Sequence, residues 1–220
     1  MVSMQAAGES NGYFDDEFVG KFDELLRWRR DVRHFKTDEL APGLIDDIIA
    51  SAELSPSVGN SQPWRWVQVQ SPEPRAVVKE TFARCNADAL EGYRGERAQR
   101  YLSLKLAGLD QAPVHLAVFC EDETAQGHGL GRQTMPETLA YSVVTAIGSL
   151  WLAARARGVG VGWISIVEPE AVHRALDVPA EWRFVAYLCI GYPEQVEMTP
   201  ELEREGWQAR TDPRARLFVR

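Results

Sequence analysis

The chain has 220 residues, of which 45% are hydrophobic and 25% are charged. Its 24 basic and 32 acidic side chains give a formal net charge of −8, a composition typical of a globular protein with a hydrophobic core. The acidic total argues against nonspecific nucleic-acid binding, which depends on basic surface, and we expect no nucleic-acid partner.

Hydrophobic periodicity predicts a series of helices and strands, whose ends are marked by proline, glycine and capping residues. In chain order they are a helix from Asp16 to the basic cluster 27–30, a helix from Pro42, a strand over 64–70, helices over 74–84 and 87–107, a strand over 114–120, a helix from Thr134 to Arg157, a strand over 159–167, a helix over 169–176 and a strand over 183–191. Residues 1–13 show no such pattern and are expected to form a flexible N-terminus.

Four strands among five or six helices favour an α+β or α/β fold with a sheet covered on both faces. Thr134 and Glu137 have the spacing of a capping box, which is expected to open the helix from Thr134. This helix is apolar around nearly its whole circumference, so it is expected to be central and buried. The last residues, 215–220, could form a fifth strand. Because the polar stretch 194–213 precedes it, this strand could pair with another subunit as easily as with its own. Residues 14–220 contain no repeat or linker, which indicates a single domain.

The three cysteines, Cys85, Cys120 and Cys189, lie far apart and form no C-x-x-C pair, which argues against a disulfide or zinc framework. We therefore expect a reducing, cytoplasmic location. No apolar run approaches the roughly 20 residues of a membrane span, and the first residues lack the features of a signal peptide, so no membrane association is expected. The histidines show no metal-ligand spacing, and no metal site is predicted.

The first candidate binding motif follows the first helix, where Arg29, Arg30 and Arg33 occur within five residues, together with Asp31 and Val32. Guanidinium groups bind phosphate through paired hydrogen bonds and stay charged at physiological pH, so they could form an anion clamp. Cations at a helix C-terminus also offset the helix dipole. A solvated helix end is therefore the alternative interpretation.

The second motif is the loop 57–64, SVGNSQPW, which contains Ser57, Asn60, Ser61 and Gln62. Amide side chains of this kind can recognise the donors and acceptors at the edge of a heterocycle. A polar turn before a strand is the alternative interpretation, and the loop alone does not decide between them.

The third motif consists of Gly158, Gly160 and Gly162, followed by Trp163 and Ser165. A dinucleotide fingerprint requires a strand, a glycine loop and then a helix, whereas these glycines follow a helix and enter a strand. The Rossmann interpretation is therefore rejected. Glycines at this position would still permit close backbone approach to a flat ligand, which would leave Ser165 near it.

In order along the chain, the segments RRDVRHF, SPSVGNSQPW, PVHLAVF, MPETLAYSVV and GVGVGWISI resemble those of the nitroreductase-type FMN proteins, over about residues 17–195. That family usually carries Arg-Arg-Ser in the first motif, and Asp31 stands here in place of the serine. With GHGLGR, TMPET and GWISI, this motif more closely resembles the branch of the family that consumes its flavin to make 5,6-dimethylbenzimidazole, the lower ligand of vitamin B12.

The resemblance implies a three-layer α/β/α fold with a central mixed sheet of four or five strands. It also implies a homodimer that binds FMN at the subunit interface, and the C-terminal strand would be exchanged between subunits. The region 87–108 would form a lid over the flavin, since a reacting flavin must be shielded from water.

The resemblance further assigns candidate site residues. Asp31 and Ser165 match the catalytic pair beside the reacting flavin. The residues implied to bind FMN are Arg29, Arg30, Asp31, Val32, Arg33, Ser57, Asn60, Ser61, Gln62, Tyr93, Leu104, Gly162, Trp163 and Ser165.

The implied reaction consumes reduced FMN and dioxygen and releases 5,6-dimethylbenzimidazole and erythrose 4-phosphate. Asp31 would move a proton, and Ser165 would hold a hydroxyl of the ribityl chain or a peroxy group. A separate NAD(P)H-dependent flavin reductase would supply the reduced FMN, because the lid would close over the face where nicotinamide stacks. The alternatives are an NAD(P)H-dependent nitroreductase or flavin reductase on the same fold, and a flavin-binding protein without turnover.

Overall fold

The computed structural model of the chain describes residues 12–103 and 107–220, except for the side chains at 100, 102 and 103. Within those ranges the helices are α1 (Asp16–Trp28), α2 (Leu44–Ala52), α3 (Pro72–Glu91), α4 (Glu96–Ser103), α5 (Gly108–Gln111), α6 (Thr138–Ala156), α7 (Pro169–Leu176) and α8 (Glu201–Arg204). The strands are β1 (Trp64–Gln68), β2 (Val114–Glu121), β3 (Gly160–Ile164) and β4 (Trp182–Gly191). The predicted N-terminal segment 1–13 falls mostly outside the described residues.

The four strands form one sheet in the order β1-β2-β4-β3, and every neighbouring pair is antiparallel. The α+β class is confirmed, but the predicted mixed strand directions are wrong. Helices occur in each connection between successive strands, and periodicity along the chain does not reveal in which direction the next strand runs. A parallel pairing does occur outside the named strands, at the isolated bridge between Asp31 and Val161.

Helices cover both faces of the sheet, which confirms the three-layer architecture. One hydrophobic core lies between the sheet and helices α2 and α6, and it includes Ile48, Ile147 and Leu150. The other lies between the sheet and the helices α3 and α7, and it includes Val78 and Val172. Each core is built from alternate residues of the same strands, because successive side chains of a strand point to opposite faces.

The central helix α6 has eight buried residues, in agreement with the prediction. By length and composition alone it is apolar enough to cross a membrane, a property that the core helix of a globular protein shares. The predicted capping box at Thr134 is wrong. The helix begins at Thr138, whose hydroxyl donates to the Met135 carbonyl at 2.6 Å, and the N-cap residue Glu137 makes no side-chain capping bond.

The helical boundaries between 72 and 108 differ from the prediction. Helix α3 runs without a break to Glu91, and the interruption falls at Gly92 to Gly95, where Gly95 has φ +60°. Glycine adopts this left-handed conformation without the steric penalty that other residues pay. The predicted lid 87–108 therefore consists of the end of α3, this turn, α4 and a connection whose residues 104–106 lie outside the described ranges.

The predicted C-terminal strand does not form within the single chain. Residues Pro213–Arg216 form a 3-10 helix, and Leu217, Phe218 and Val219 are exposed. Helix α1 is similar in that it has no buried residue, although Phe18 and Phe22 lie on its apolar side. Two apolar segments of the described chain are therefore largely uncovered.

Candidate active site

The segment 29–33 is fixed against strand β3. The Val32 amide donates to the Val161 carbonyl at 3.0 Å. A Cβ atom on Gly162 would lie 2.2 Å from the Val32 carbonyl oxygen, so no larger residue fits there without displacing the backbone. The sequence predicted that Gly162 allows close approach of a flat ligand. Within this chain, Gly162 instead allows close approach of the segment that carries Asp31.

Asp31 is held at both of its carboxylate oxygens. Oδ1 accepts a hydrogen bond from the Trp163 amide at 3.0 Å, and Oδ2 lies 3.6 Å from Arg33 Nε. Burial raises the pKa of the Asp31 carboxyl, and the Trp163 hydrogen bond and the Arg33 charge oppose this effect without cancelling it. Its side chain is nevertheless 39% exposed, so a ligand can still reach the carboxylate.

Asp31 and Ser165 line the same cavity. Its volume is about 350 Å³, and Arg33, Trp163 and Ile166 complete the lining. This volume lies within the range of small-molecule sites. The structure therefore brings together the two residues that the sequence assigned to catalysis, although 134 positions separate Asp31 from Ser165 along the chain.

Arg29 and Arg30 have different surroundings. The Arg29 guanidinium lies over the Trp151 ring, 5.0 Å from its centroid, and makes no hydrogen bond within the part of the chain that the structure describes. The Arg30 guanidinium donates to the Met198 carbonyl at 2.6 Å and also to the carbonyls of Arg27 and Arg29. Arg29 thus keeps its donors available, whereas Arg30 connects α1 to the C-terminal segment.

A third arginine, Arg210, belongs to the same positive region and was missed in the sequence. Burial and the Arg210 charge lower the pKa of Arg29, and burial, Arg29 and Arg210 lower the pKa of Arg30. Positive groups that repel one another in this way are stabilised when an anion binds between them. Arg210 lies in the polar stretch 194–213, where no motif marks it, and only the tertiary structure brings it near Arg29.

The loop 57–62 does not lie beside the arginines in the single chain. The Val58 amide donates to Ser142 Oγ at 3.0 Å, whereas the Arg30 carbonyl accepts from Trp151 Nε1 at 3.0 Å. Ser142 and Trp151 are separated by nine residues of α6, which corresponds to about 13 Å along the helix axis. The predicted FMN-binding residues Ser57, Asn60, Ser61 and Gln62 therefore form a second, separate group.

Side-chain hydrogen bonds support an unusual backbone in that loop. Asn60 and Gln62 have φ of 54° and 45°, a region that non-glycine residues rarely adopt. The Gln62 amide donates to Ser57 Oγ at 3.0 Å, and Gln126 donates to the Asn60 carbonyl at 3.0 Å. Ser61 Oγ is buried and has no hydrogen-bond partner within the described residues. Strain of this kind clusters at ligand sites.

Tyr93 lies in an aromatic cluster. Its ring stacks on Tyr101 at 4.9 Å between centroids and meets the edge of Trp207 at 5.3 Å. The predicted lid is therefore in contact with the C-terminal segment, and Tyr93 is not among the residues that line the Asp31 cavity. Leu104, the other predicted flavin contact in the lid, lies outside the described residues.

Residues 26–192 match the Nitroreductase family, and this match covers about three quarters of the chain. The chain belongs to the nitroreductase family. The similarity identified from the order of the motifs is therefore confirmed.

Two named relatives and one solved structure show which proteins the chain is similar to. The 5,6-dimethylbenzimidazole synthase of Rhodospirillum rubrum is 57% identical over 197 residues, covering 90% of this chain and 93% of that protein. The synthase of Rhodobacter capsulatus is 52% identical over 185 residues, covering 84% and 89%. A solved structure of oxidised iodotyrosine deiodinase, bound to FMN and 3-iodo-L-tyrosine, has a TM-score of 0.70 at 23% identity and covers 90% of this chain and 97% of that one. The predicted nitroreductase-like fold is thus confirmed.

Proposed function

We propose that this nitroreductase-family protein is an enzyme that consumes reduced FMN and dioxygen and releases 5,6-dimethylbenzimidazole and erythrose 4-phosphate. The observation that carries the proposal is the cavity shared by Asp31 and Ser165, since Asp31 replaces the serine usual in the family motif. The names of the relatives at 57% and 52% identity support the same assignment. FMN is then a substrate: it supplies the electrons that dioxygen accepts, and the pyrimidine-ring carbons that neither named product contains leave as a separate fragment.

The described residues fit the phosphate of FMN. Arg29 and Arg210 repel one another across a half-buried region, and the donors of the Arg29 guanidinium are unused within the described chain. A phosphate would satisfy these donors through charge-assisted hydrogen bonds and relieve the repulsion. Arg30 stabilises this region through the hydrogen bonds that its guanidinium donates to backbone carbonyls.

Asp31 and Ser165 would act on the part of the flavin that enters their cavity. The Trp163 amide donates to Oδ1 at 3.0 Å, whereas Arg33 Nε lies 3.6 Å from Oδ2. Oδ2 is therefore the less firmly held oxygen and the one on which Asp31 would take up a proton. Burial raises the pKa of Asp31, which brings the carboxyl closer to the working pH of a general acid or base. The exposed Ser165 hydroxyl can both donate to and accept from a ribityl hydroxyl.

The enzyme would act as a homodimer. Since the loop 57–62 lies about 13 Å along α6 from the arginine segment, one chain presents two separate halves of a flavin site. A second copy could bring its loop 57–62 to these arginines, and the exposed apolar residues of α1 and of the C-terminus would be covered in such a pair. Deletion of 211–220 should then weaken both the dimer, measured by light scattering, and FMN binding. An unchanged mass and affinity would contradict strand exchange.

Reduced FMN would come from a separate NAD(P)H-dependent flavin reductase in the cytoplasm, where the three free cysteines would stay reduced. The direct test uses FMN that has been reduced photochemically, so that no nicotinamide is present. The protein is mixed with an excess of this FMN under air, and the products are separated by liquid chromatography and identified by mass.

We expect 5,6-dimethylbenzimidazole and erythrose 4-phosphate under air and neither under argon. Ser165→Ala should lower the yield, whereas Ser71→Ala, at an exposed position before α3 without a side-chain capping bond, should not. Re-formation of intact FMN as the sole outcome would reject the proposal. Rapid anaerobic reduction of bound FMN by NADPH or NADH would then favour a nitroreductase or flavin reductase, and FMN binding without either reaction would favour a flavin-binding protein.

A further inference from the structure

Arg33 lies between two carboxylates that are distant in sequence. Arg33 Nε is 3.6 Å from Asp31 Oδ2, and Arg33 NH1 is 3.9 Å from Glu201 Oε1. The Arg33 and Glu201 side chains are only 12% and 18% exposed, so water screens the contact between these two residues weakly. Asp31, at the other end, lines the cavity that also contains Ser165.

This arrangement changes the interpretation of Arg33. The sequence placed it with Arg29 and Arg30 as a phosphate ligand, but its guanidinium is directed at two carboxylates. Glu201 can therefore act on Asp31 in two ways: its negative charge repels the Asp31 carboxylate, and its contact with NH1 holds the Arg33 guanidinium away from closer approach to Asp31. The electrostatic surroundings of Asp31 thus depend on whether Glu201 is present and charged.

The groups that act on Asp31 come from several elements. Its own segment contributes the positive charges of Arg29 and Arg33, β4 contributes the buried thiol of Cys189, and β3 contributes the Trp163 amide. Glu201 of α8 is the nearby negative group in this set, and its charge raises the pKa of Asp31, whereas the arginines and the amide lower it. A neighbouring cavity that Asp31, Arg33 and Glu201 line together is also lined by the titratable or charged residues Arg30, His34, Glu194, Glu197, Arg204 and Glu205. Glu201 differs from the other glutamates of this cavity in its contact with Arg33, so its removal tests that contact.

We propose that Glu201 is a positioning residue for the reaction proposed above. It engages Arg33 and thereby keeps Asp31 able to exchange a proton. The proposal rests on the proposed function for its catalytic meaning. Its physical content is that the protonation of Asp31 depends on Glu201 through Arg33, and this holds whether or not benzimidazole is the product. The C-terminal segment thus supplies a residue to a site whose other members lie on the 29–33 segment and β3.

The sign of the effect follows from electrostatics. In Glu201→Gln the negative charge near Asp31 is lost, and a second carboxylate no longer holds the Arg33 guanidinium away from Asp31. Both changes favour the ionised form of Asp31. The midpoint of the Asp31 titration should therefore move to lower pH. A merely structural ion pair would lower stability and leave this midpoint unchanged.

The experiment uses full-length protein labelled with ¹³C at the aspartate carboxyls, titrated by NMR without flavin. The Asp31 signal is assigned by its loss in Asp31→Asn. Three samples are compared: the wild type, Glu201→Gln, and Glu205→Gln as a matched control. Glu205 is an exposed carboxylate that lines a cavity with Asp31 and Glu201 but makes no ion pair with Arg33 within the described ranges. It therefore separates the contact with Arg33 from a general loss of negative charge in the cavity. Near-UV circular dichroism confirms that each variant is folded.

We expect the Asp31 midpoint to fall in Glu201→Gln and to fall by clearly less in Glu205→Gln. In the aerobic FMN assay, the pH limb that disappears with Asp31→Asn should shift in the same direction. An Asp31 midpoint that is equal in the wild type and in Glu201→Gln would overturn the proposal. If the midpoint shifts while the wild type makes no benzimidazole, the proposed function fails and the role of Glu201 toward Asp31 stands.

Discussion

His115 and Tyr187 form a polar pair inside the core, whereas Asp31, Arg33 and Glu201 form a polar row beside the edge strand β3. In the core pair, His115 Nδ1 lies 2.9 Å from the Tyr187 hydroxyl, and both residues are almost fully buried. In the row, the contacts of Arg33 with the two carboxylates are 3.6 and 3.9 Å long, and Asp31 remains accessible. The first group is closed to ligands, and the second retains hydrogen-bonding capacity for one.

The nearby arginines differ in the same way. Arg75, close to the core pair, donates to the carbonyls of Val69 and Pro113 at 2.7 and 3.1 Å. Arg29, close to the row, makes only a contact with the face of Trp151 within the described chain. A satisfied buried group contributes to the free energy of unfolding, whereas an unsatisfied one at the surface is available for binding. The two regions should therefore respond oppositely to mutation.

The largest expected effect is the loss of product formation when Asp31, in the accessible row of Asp31, Arg33 and Glu201, is replaced. Asp31→Asn keeps the acceptor for the Trp163 amide but removes the exchangeable proton, so benzimidazole formation should fall by about 10²-fold or more, the usual scale for a general acid or base. Binding of reduced FMN should be retained. Product analysis and anaerobic fluorescence titration measure the two effects, and flavin fragmentation at the wild-type rate would contradict the role of Asp31.

The same variant tests how much the burial of the ionised Asp31 carboxylate lowers the free energy of unfolding. Because the pKa of Asp31 is raised in the folded state, the folded protein loses stability as the pH rises from the ordinary carboxyl pKa through the raised value. Asp31→Asn should therefore be more stable than the wild type at pH 7, and this advantage should vanish in acid. Thermal unfolding at pH 4 and pH 7 measures it. Destabilisation at pH 7 would show that the contacts of Asp31 outweigh its burial.

The closed pair should control stability in acid. Burial lowers the pKa of His115 to about 4, so the unfolded chain takes up a proton below pH 6.5 that the folded chain refuses until about pH 4. The free energy of unfolding should therefore fall by about 2 to 3 kcal/mol between pH 7 and pH 4.5. Urea unfolding at fixed protein concentration, compared with His115→Gln, isolates this contribution. Parallel pH dependence in both proteins would be inconsistent with a neutral buried histidine.

A third comparison sets Arg29 and Arg210, near the accessible row, against Arg75, near the core pair. Arg29→Ala and Arg210→Ala should each weaken FMN binding by about 1.5 to 3 kcal/mol, the usual effect of a lost charged hydrogen bond. Arg75→Ala should leave the affinity unchanged and lower the free energy of unfolding, because it leaves two carbonyls without a partner. Flavin fluorescence titration and urea unfolding separate these outcomes. Unaltered affinity in both Arg29→Ala and Arg210→Ala would return them to the solvated-surface interpretation.

The smallest expected effect concerns the backbone that supports the row. Gly162→Ala forces a Cβ atom against the Val32 carbonyl, so the segment 31–33 must shift, at a cost of about 1 to 3 kcal/mol for overpacking. Gly20→Ala is the control, because a Cβ atom there meets nothing within 4 Å in helix α1 and should raise stability by up to about 1 kcal/mol. Urea unfolding compares them. Equal stability of the two variants would mean that the 31–33 segment adapts without strain.

Local patterns were sufficient to predict most of the fold. The four strands and the buried helix α6 were predicted because burial requires a period of 2 in strands and of 3.6 in helices, and that requirement is visible in the chain. Strand direction and the start of α6 at Thr138 were predicted wrongly. Direction depends on how separated segments pair, and a capping motif is used only when tertiary packing places the helix end beside it.

The sequence also determined which residues to consider at the site. Asp31, Ser165 and the arginine cluster were identified from motifs, because each motif is a short run of residues with unusual chemistry. Only the tertiary structure decided how these residues divide: Asp31 with Ser165, Arg33 with Glu201, and Arg29 with Arg210. Charges and hydrogen bonds act over a few ångströms in space, so partners that lie 134 to 181 positions apart carry no signal in a single sequence.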